Sequence, residues 1–110
     1  MLTLFGLILG RAGFRVETAL DGVPGLKLLN SQEFDLLLVD DMLPIMPGYE
    51  LVRRVRADPR WDALPVLTCD ARAKAGVDGY FTKPFLPGIL VVAASDLALH
   101  GRKTLPDPAA

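Results

Sequence analysis

The hydrophobic positions of the chain fall into short blocks that alternate between the period of a helix and the run of a buried strand. Over residues 1–11, Leu4, Leu7 and Ile8 recur at helical spacing, and Gly13 stands where such a helix would stop. Phe14, Val16 and Thr18 then alternate with Arg15 and Glu17, which predicts a half-buried strand over 14–19. Asp21 and Gly22 mark a turn. The next helix, carrying Leu26, Leu28 and Leu29, follows Pro24, a residue tolerated in a first helical turn. Residues 35–40 (DLLLVD) differ in kind, because four consecutive apolar residues between carboxylates predict a strand covered on both faces. Residues 41–47 contain Pro44 and Pro47 and read as a loop at that strand's C-terminal end.

Residues 48–57 predict an amphipathic helix, with Leu51, Val52 and Val55 inward and Arg53, Arg54 and Arg56 mostly solvated. Asp58 and Pro59 end it, and Trp61 is expected to anchor the connection that follows. Residues 64–69 and 79–82 read as short strands. Residues 87–99 are apolar with no charge before Asp96, and Leu90, Ala94 and Leu97 lie on one helical face. The stretch 101–110, with Pro106 and Pro108, is expected to be a frayed tail beyond a domain over 1–100. Helices alternating with buried strands imply an open α/β sheet, whose sites lie at the C-terminal ends of the strands. That directs attention to Asp40 and Asp41, to residues 68–70 and to residues 82–84.

Composition narrows the picture. A length of 110 residues with 51% hydrophobic and 23% charged residues fits one folded domain and excludes a disordered chain. A net charge of −1 argues against a nucleic acid or an anionic membrane held by bulk charge. A single cysteine, Cys69, excludes an internal disulfide framework and a structural zinc site. It reads as a small buried thiol, and His100 has no partner at metal spacing. The uncharged opening lacks a basic flank and a cleavage site, and it is too short to span a membrane, so a cytoplasmic protein is expected. No phosphate-cradling GxxxxGK[ST] and no GxSxG turn is present, so no small-molecule enzyme is predicted.

Asp40 ends a buried strand and faces a loop, where a carboxylate serves as a nucleophile toward phosphorus, a metal ligand or a structural cap. Lys83 ends another strand before Pro84, so its ammonium faces the same edge. There it would favour an ionised Asp40 and neutralise a phosphoryl group on it, or else be an ordinary surface lysine.

At these residues the sequence resembles the receiver domain of two-component response regulators. The resemblance rests on FDLLLVDDMLPIMPGYEL, LPVL, ARA, AGVDGYFTKPF and AGFRVETALDG, and it covers roughly residues 2–99. It implies a flavodoxin-like, doubly wound parallel sheet of strand order 2-1-3-4-5. Asp40 matches the aspartate that accepts phosphoryl from a sensor histidine kinase or phosphotransfer protein, forming an acyl phosphate. Pro44 and Gly48 match the loop that shapes the site. Lys83 matches the phosphoryl-contacting lysine, Lys83-Pro84 the peptide that is usually cis, and Tyr80 the aromatic switch position. Mg2+ is the family's cofactor, and here Asp40 and the backbone carbonyl of Met42 match its ligands.

Three departures accompany the resemblance. The chain opens at about the family's first helix, so the first strand and its acidic metal-binding pair are expected to be missing. Asp41 is no substitute, since it points to the opposite face from Asp40. A weak or absent metal site and slow phosphorylation follow. Second, an ungapped alignment puts Asp70 where the family has a Ser or Thr, whereas shortening the strand by two residues brings Thr68 there. Third, only Lys74 separates ARA from AGVDGY, so most of the fourth helix is expected to be absent.

The sequence therefore predicts a stand-alone receiver signalling through protein contacts, with a homodimer through the apolar 87–99 segment. The alternative is a phosphorylation-impaired pseudo-receiver that binds a partner constitutively, or an incomplete gene product. A second reading of residues 89–92 (ILVV) makes them a strand that fills the missing central position.

Overall fold

The helices follow the apolar blocks of the sequence. The structure, a computed structural model, describes residues 4–40, 45–70, 72–73, 76–82 and 86–102. Helix α1 (Leu4–Arg11) matches the first apolar block. Helix α2 (Gly22–Ser31) begins after Asp21, whose carboxylate accepts the Gly22 N–H at 2.5 Å, with Pro24 in the first turn. Helix α3 (Gly48–Ala57) buries Leu51, Val52 and Val55. On its outer face Glu50 pairs with Arg53 and Arg54. The hydrogen bond from Arg53, ahead of the charges, holds the Glu50 carboxyl down at about 2. A short 3-10 turn (Pro59–Trp61) follows, and α4 (Pro87–His100) closes the series.

The strands are shorter than the apolar runs that contain them: β1 (Leu37–Val39), β2 (Val66–Thr68) and β3 (Gly79–Tyr80). They form a parallel sheet in the order β1-β2-β3, with Leu38 opposite Leu67 and Thr68 opposite Tyr80. Adjacent residues of β2 point to opposite faces, and both are sealed. Val66 joins a core with Val39, Leu51, Val52 and α2's Leu29, while Leu67 packs with Leu9, Phe81, Leu90, Ala94 and Leu97. Helices α2 and α3 therefore cover one face, and α1 and α4 the other. No helix among the described residues is long and apolar enough to cross a membrane.

One expectation is corrected, and the helical reading of residues 87–99 holds over its strand alternative at 89–92. Residues 14–19 are not a strand. Their burial still alternates over 14–18, but they pair with no strand of the sheet, because a cavity of about 550 Å³ separates them from β1. Residues 89–92 are helical within α4 and do not enter the sheet. Pro87 presets the first turn, and the Leu90, Ala94 and Leu97 stripe gains its burial only with helical spacing. No helix lies between β2 and β3 among the described residues.

Arg56 is corrected as well, since its side chain is only 14% exposed. It donates to the carbonyls of Gly76 (2.7 Å), Trp61 (2.8 Å) and Leu64 (2.5 Å) and to Asp78 Oδ2 (3.2 Å). Asp78 is fully buried, accepts the Val66 N–H at 2.9 Å, and is paired from its other oxygen with Arg102 at 3.1 Å. Burial, then the neighbouring Arg102 charge, pulls the Arg56 guanidinium below its ordinary value, and Asp78 opposes that shift. Gly76 sits at φ +79°, where a Cβ would lie 2.5 Å from Arg56 Cγ, so glycine is required twice over. Gly101 and Arg102, the first two residues of the expected tail, are thus tied to the domain, Arg102 also donating to the Asp62 carbonyl at 3.0 Å. Residues 103–110 lie outside the described residues.

Asp78→Ala removes the carboxylate that pairs directly with the buried Arg56 and is expected to cost about 3–5 kcal/mol in chemical denaturation. Arg102→Ala is expected to cost about 1 kcal/mol. A loss within about 0.5 kcal/mol for Asp78→Ala, the range of an ordinary surface change, would contradict this role.

Candidate functional site

The parallel strands end together, so the residues after them converge on one edge of the sheet. Asp40 follows β1 and is half-buried, Cys69 and Asp70 follow β2, and Phe81 and Thr82 follow β3. The Cys69 Sγ lies 3.6 Å from Asp40 Oδ1 as a weak donor, so the thiol belongs to the carboxylate's surroundings. Gly48, at the start of α3, lies against the same edge. A Cβ there would meet the Asp40 carbonyl oxygen at 2.6 Å and Asp70 Oδ2 at 3.1 Å, so only glycine lets α3 approach this closely.

Asp70 and Thr68 play different parts. The Thr68 hydroxyl is buried inside β2, donating to the Val39 carbonyl at 2.8 Å and accepting the Asp70 N–H at 3.0 Å. The Asp70 carboxylate is 1% exposed. It accepts the Tyr49 N–H at 2.9 Å and the Arg72 N–H and Nε at 2.9 and 3.0 Å. Helix α3 has no side-chain cap of its own, because Pro47 occupies its N-cap, and Asp70 supplies that cap from a distant strand end. Arg72 also stacks over the Tyr49 ring at 4.7 Å. Burial alone would raise the Asp70 carboxyl, but the hydrogen bonds from Arg72 and Tyr49 overcome it and hold it below its ordinary value.

The Tyr80 hydroxyl is engaged too, donating to the Ala73 carbonyl in the segment that leaves β2. Lys83 and Pro84, the loop residue Pro44, and Asp41 and Met42 lie outside the described residues. Sequence reasoning missed Tyr49, Arg72 and the placement of Cys69. The signal for Arg72 was an arginine two residues after a strand-end aspartate, the spacing of a side-chain-to-backbone turn.

Magnesium takes near-octahedral oxygen ligation with one or two carboxylates. Asp70's oxygens are held by Arg72 and Tyr49, and the described residues include no group of three His, Cys, Asp or Glu able to hold a metal ion. The described residues do not by themselves fit a resident magnesium.

The parallel sheet covered by helices on both faces, with Asp40 directly after a strand, is the flavodoxin-like arrangement of the receiver domains it superposes on. The response regulator receiver domain family matches residues 1–95, and the chain belongs to that family. It is 36% identical to the transcriptional regulatory protein AfsQ1 of Streptomyces coelicolor, over 97% of this chain and 50% of the relative. It is 44% identical to the chemotaxis protein CheY of Pseudomonas aeruginosa over 64% of each. The chain thus spans about half to two thirds of the length of these relatives. A putative response regulator from Chloroflexus aurantiacus superposes with a TM-score of 0.77 at 34% identity, covering 86% of this chain and 84% of that one. The receiver domain of a Pseudomonas aeruginosa sensor histidine kinase, solved with magnesium in its active-site cleft, superposes with a TM-score of 0.75 at 27% identity, covering 84% and 83%.

The depressed Asp70 value has a definite sign. Its stabilisation is complete above the ordinary value of 3.8 and is lost as pH falls below it. Asp70→Asn keeps an acceptor for Tyr49 N–H but removes the ion pair. It is expected to cost about 1–2 kcal/mol at about pH 7, a gap that narrows toward about pH 3 in urea denaturation. A gap independent of pH would contradict the ionised pairing.

Proposed function

We propose that the chain is a non-enzymatic receiver module of two-component signalling in which Asp40 accepts a phosphoryl group from a sensor histidine kinase or phosphotransfer protein. The observation that carries the reading is the position of Asp40, a half-buried carboxylate directly after β1 on the edge where all three strands end. An Asp40 oxygen forms the new P–O bond while the P–N bond of the donor phosphohistidine breaks, and the histidine nitrogen keeps the bonding electrons. Lys83 is proposed to neutralise the phosphoryl group and Tyr80 to take part in the response. Gly48, with Pro44 and Pro84, shapes the rim. Magnesium is carried over from the family, and no step is assigned to it.

One observation favours a second reading, a constitutive protein-interaction module. Asp70, which the ungapped alignment puts at the switch position in preference to Thr68, is a carboxylate whose oxygens are already committed to Arg72 and Tyr49. It would repel a phosphoryl group nearby and has no hydroxyl to offer it. Incubation with acetyl phosphate and magnesium, read by intact-protein mass spectrometry against Asp40→Asn, separates the two. An Asp40-dependent gain of one phosphoryl group is expected. No gain by a folded protein would overturn phosphoryl acceptance and leave the constitutive module.

Read-out is assigned to protein contacts, and the apolar outer face of α4 is the proposed self-association surface. Leu86, Ile89 and Val92 are exposed there, Val92 to 70%. Analytical ultracentrifugation is expected to show concentration-dependent dimers that Val92→Lys weakens. A clean monomer at high concentration would contradict the dimer.

A further inference from the structure

Asp70 reaches the edge that holds Asp40 together with its own counter-charge. The Asp40 carbonyl oxygen and Asp70 Oδ2 lie 2.6 and 3.1 Å from one point, the position a Cβ on Gly48 would take. Asp40 Oδ1 lies 3.6 Å from the Sγ of Cys69, the residue before Asp70. The two aspartates therefore adjoin. Arg72 Nη2 is 3.3 Å from that same Asp70 Oδ2, and Arg72 Nε is 3.0 Å from Oδ1. The partners are held very differently. The Asp70 carboxylate is buried, whereas the Arg72 side chain is 59% exposed, reaching Asp70 from solvent and stacking over the Tyr49 ring. Asp70 also accepts two backbone groups, the Tyr49 N–H and the Arg72 N–H, both at 2.9 Å. These bonds do not involve the guanidinium, so the cap of α3 survives if the guanidinium leaves.

A phosphoryl group on Asp40 brings close to two negative charges and three strong acceptor oxygens to this corner, beside the carboxylate of Asp70. An ion pair with one partner in solvent is weak. Phosphoryl oxygens accept a guanidinium in bidentate, charge-assisted bonds, which are among the stronger hydrogen bonds. The exchange also leaves a cation between two anions that would otherwise repel each other. We propose that Arg72 is a phosphoryl-binding residue of this receiver: when Asp40 is phosphorylated, the Arg72 guanidinium passes from Asp70 to the phosphoryl oxygens. It thereby supplies the donors that Asp70, lacking a hydroxyl, does not. The proposal rests on Asp40 accepting a phosphoryl group. It gives the Asp70–Arg72 pair a part in that reaction, where Asp70 alone would oppose it.

The test follows phosphoryl gain from acetyl phosphate with magnesium by intact-protein mass spectrometry, in the full chain and in its Arg72→Lys and Arg72→Gln variants. Both replacements can still donate a hydrogen bond to Asp70, but only lysine keeps the charge, so a purely structural Arg72 would not separate them. Arg72→Gln is expected to slow the gain roughly tenfold, and Arg72→Lys to stay close to the wild type. In the 15N-labelled wild type, the Arg72 Nε–Hε NMR signal is expected to shift when Asp40 is phosphorylated. A glutamine variant as fast as the wild type would overturn the proposal while leaving phosphoryl acceptance by Asp40 standing. So would a lysine variant slowed as much as the glutamine one, or an Arg72 signal unmoved in the phosphorylated protein. No gain by the folded wild type would overturn both.

Discussion

The buried Asp78 carboxylate, held between Arg56 and Arg102, is the constraint on which the rest of this small sheet depends. β3 contributes only two residues, and no helix connects it to β2 among the described residues. Such a strand has few ladder bonds of its own. The network replaces them with fixed charge. Asp78 fastens the start of β3 to the Val66 amide, and Arg56 gathers three carbonyls from the turns on either side. Arg102 adds the end of α4, so four separate pieces of chain meet at one ion pair. A buried charge with these partners satisfied holds a unique arrangement, and losing any one strands the others.

The opposite edge of the sheet repeats the device with a different consequence. Asp70 is also a buried carboxylate bound by an arginine and a backbone amide, but it stands where the strands end and where Asp40 is placed. Its bond to Tyr49 N–H couples the end of β2 to the start of α3, and Gly48 packs tightly between Asp40 and Asp70. The edge is therefore anchored from below by Thr68 and from the side by Asp70. A site built this way is rigid at the position beside Asp40, and that rigidity is what makes the constitutive reading worth testing beside the phosphoryl-accepting one.

Much of the architecture was legible in the sequence because it depends on local periodicity. The α3 stripe of Leu51, Val52 and Val55 fell at helical spacing, and the DLLLVD run announced a strand covered on both faces. Other features depend on partners distant in the chain. Residues 14–19 have the alternation of a strand, yet a strand exists only when a neighbour pairs with it, and among the described residues none pairs with them. Arg56 looked like one of three solvated arginines. Only the turns at 61–64 and 76–78 reveal that it is a buried hub. At the site, Asp40 and Asp70 were visible as strand-end carboxylates, whereas the Arg72 and Tyr49 contacts require the fold to bring residues 49 and 70 together. Lys83, Pro84, Pro44 and Met42 lie outside the described residues, so their part in the site stands on sequence alone.

Native-state hydrogen exchange of the Asp78 and Phe81 amides tests the central structural claim most directly. These amides bond the Val66 and Thr68 carbonyls at 2.9 and 3.0 Å and report whether β3 is held by the ion-pair network. If it is, both amides exchange only through global unfolding, with the same free energy and denaturant dependence as the core amides of α3. Exchange through a low-energy local opening of β3, with α3 still protected, would contradict the account.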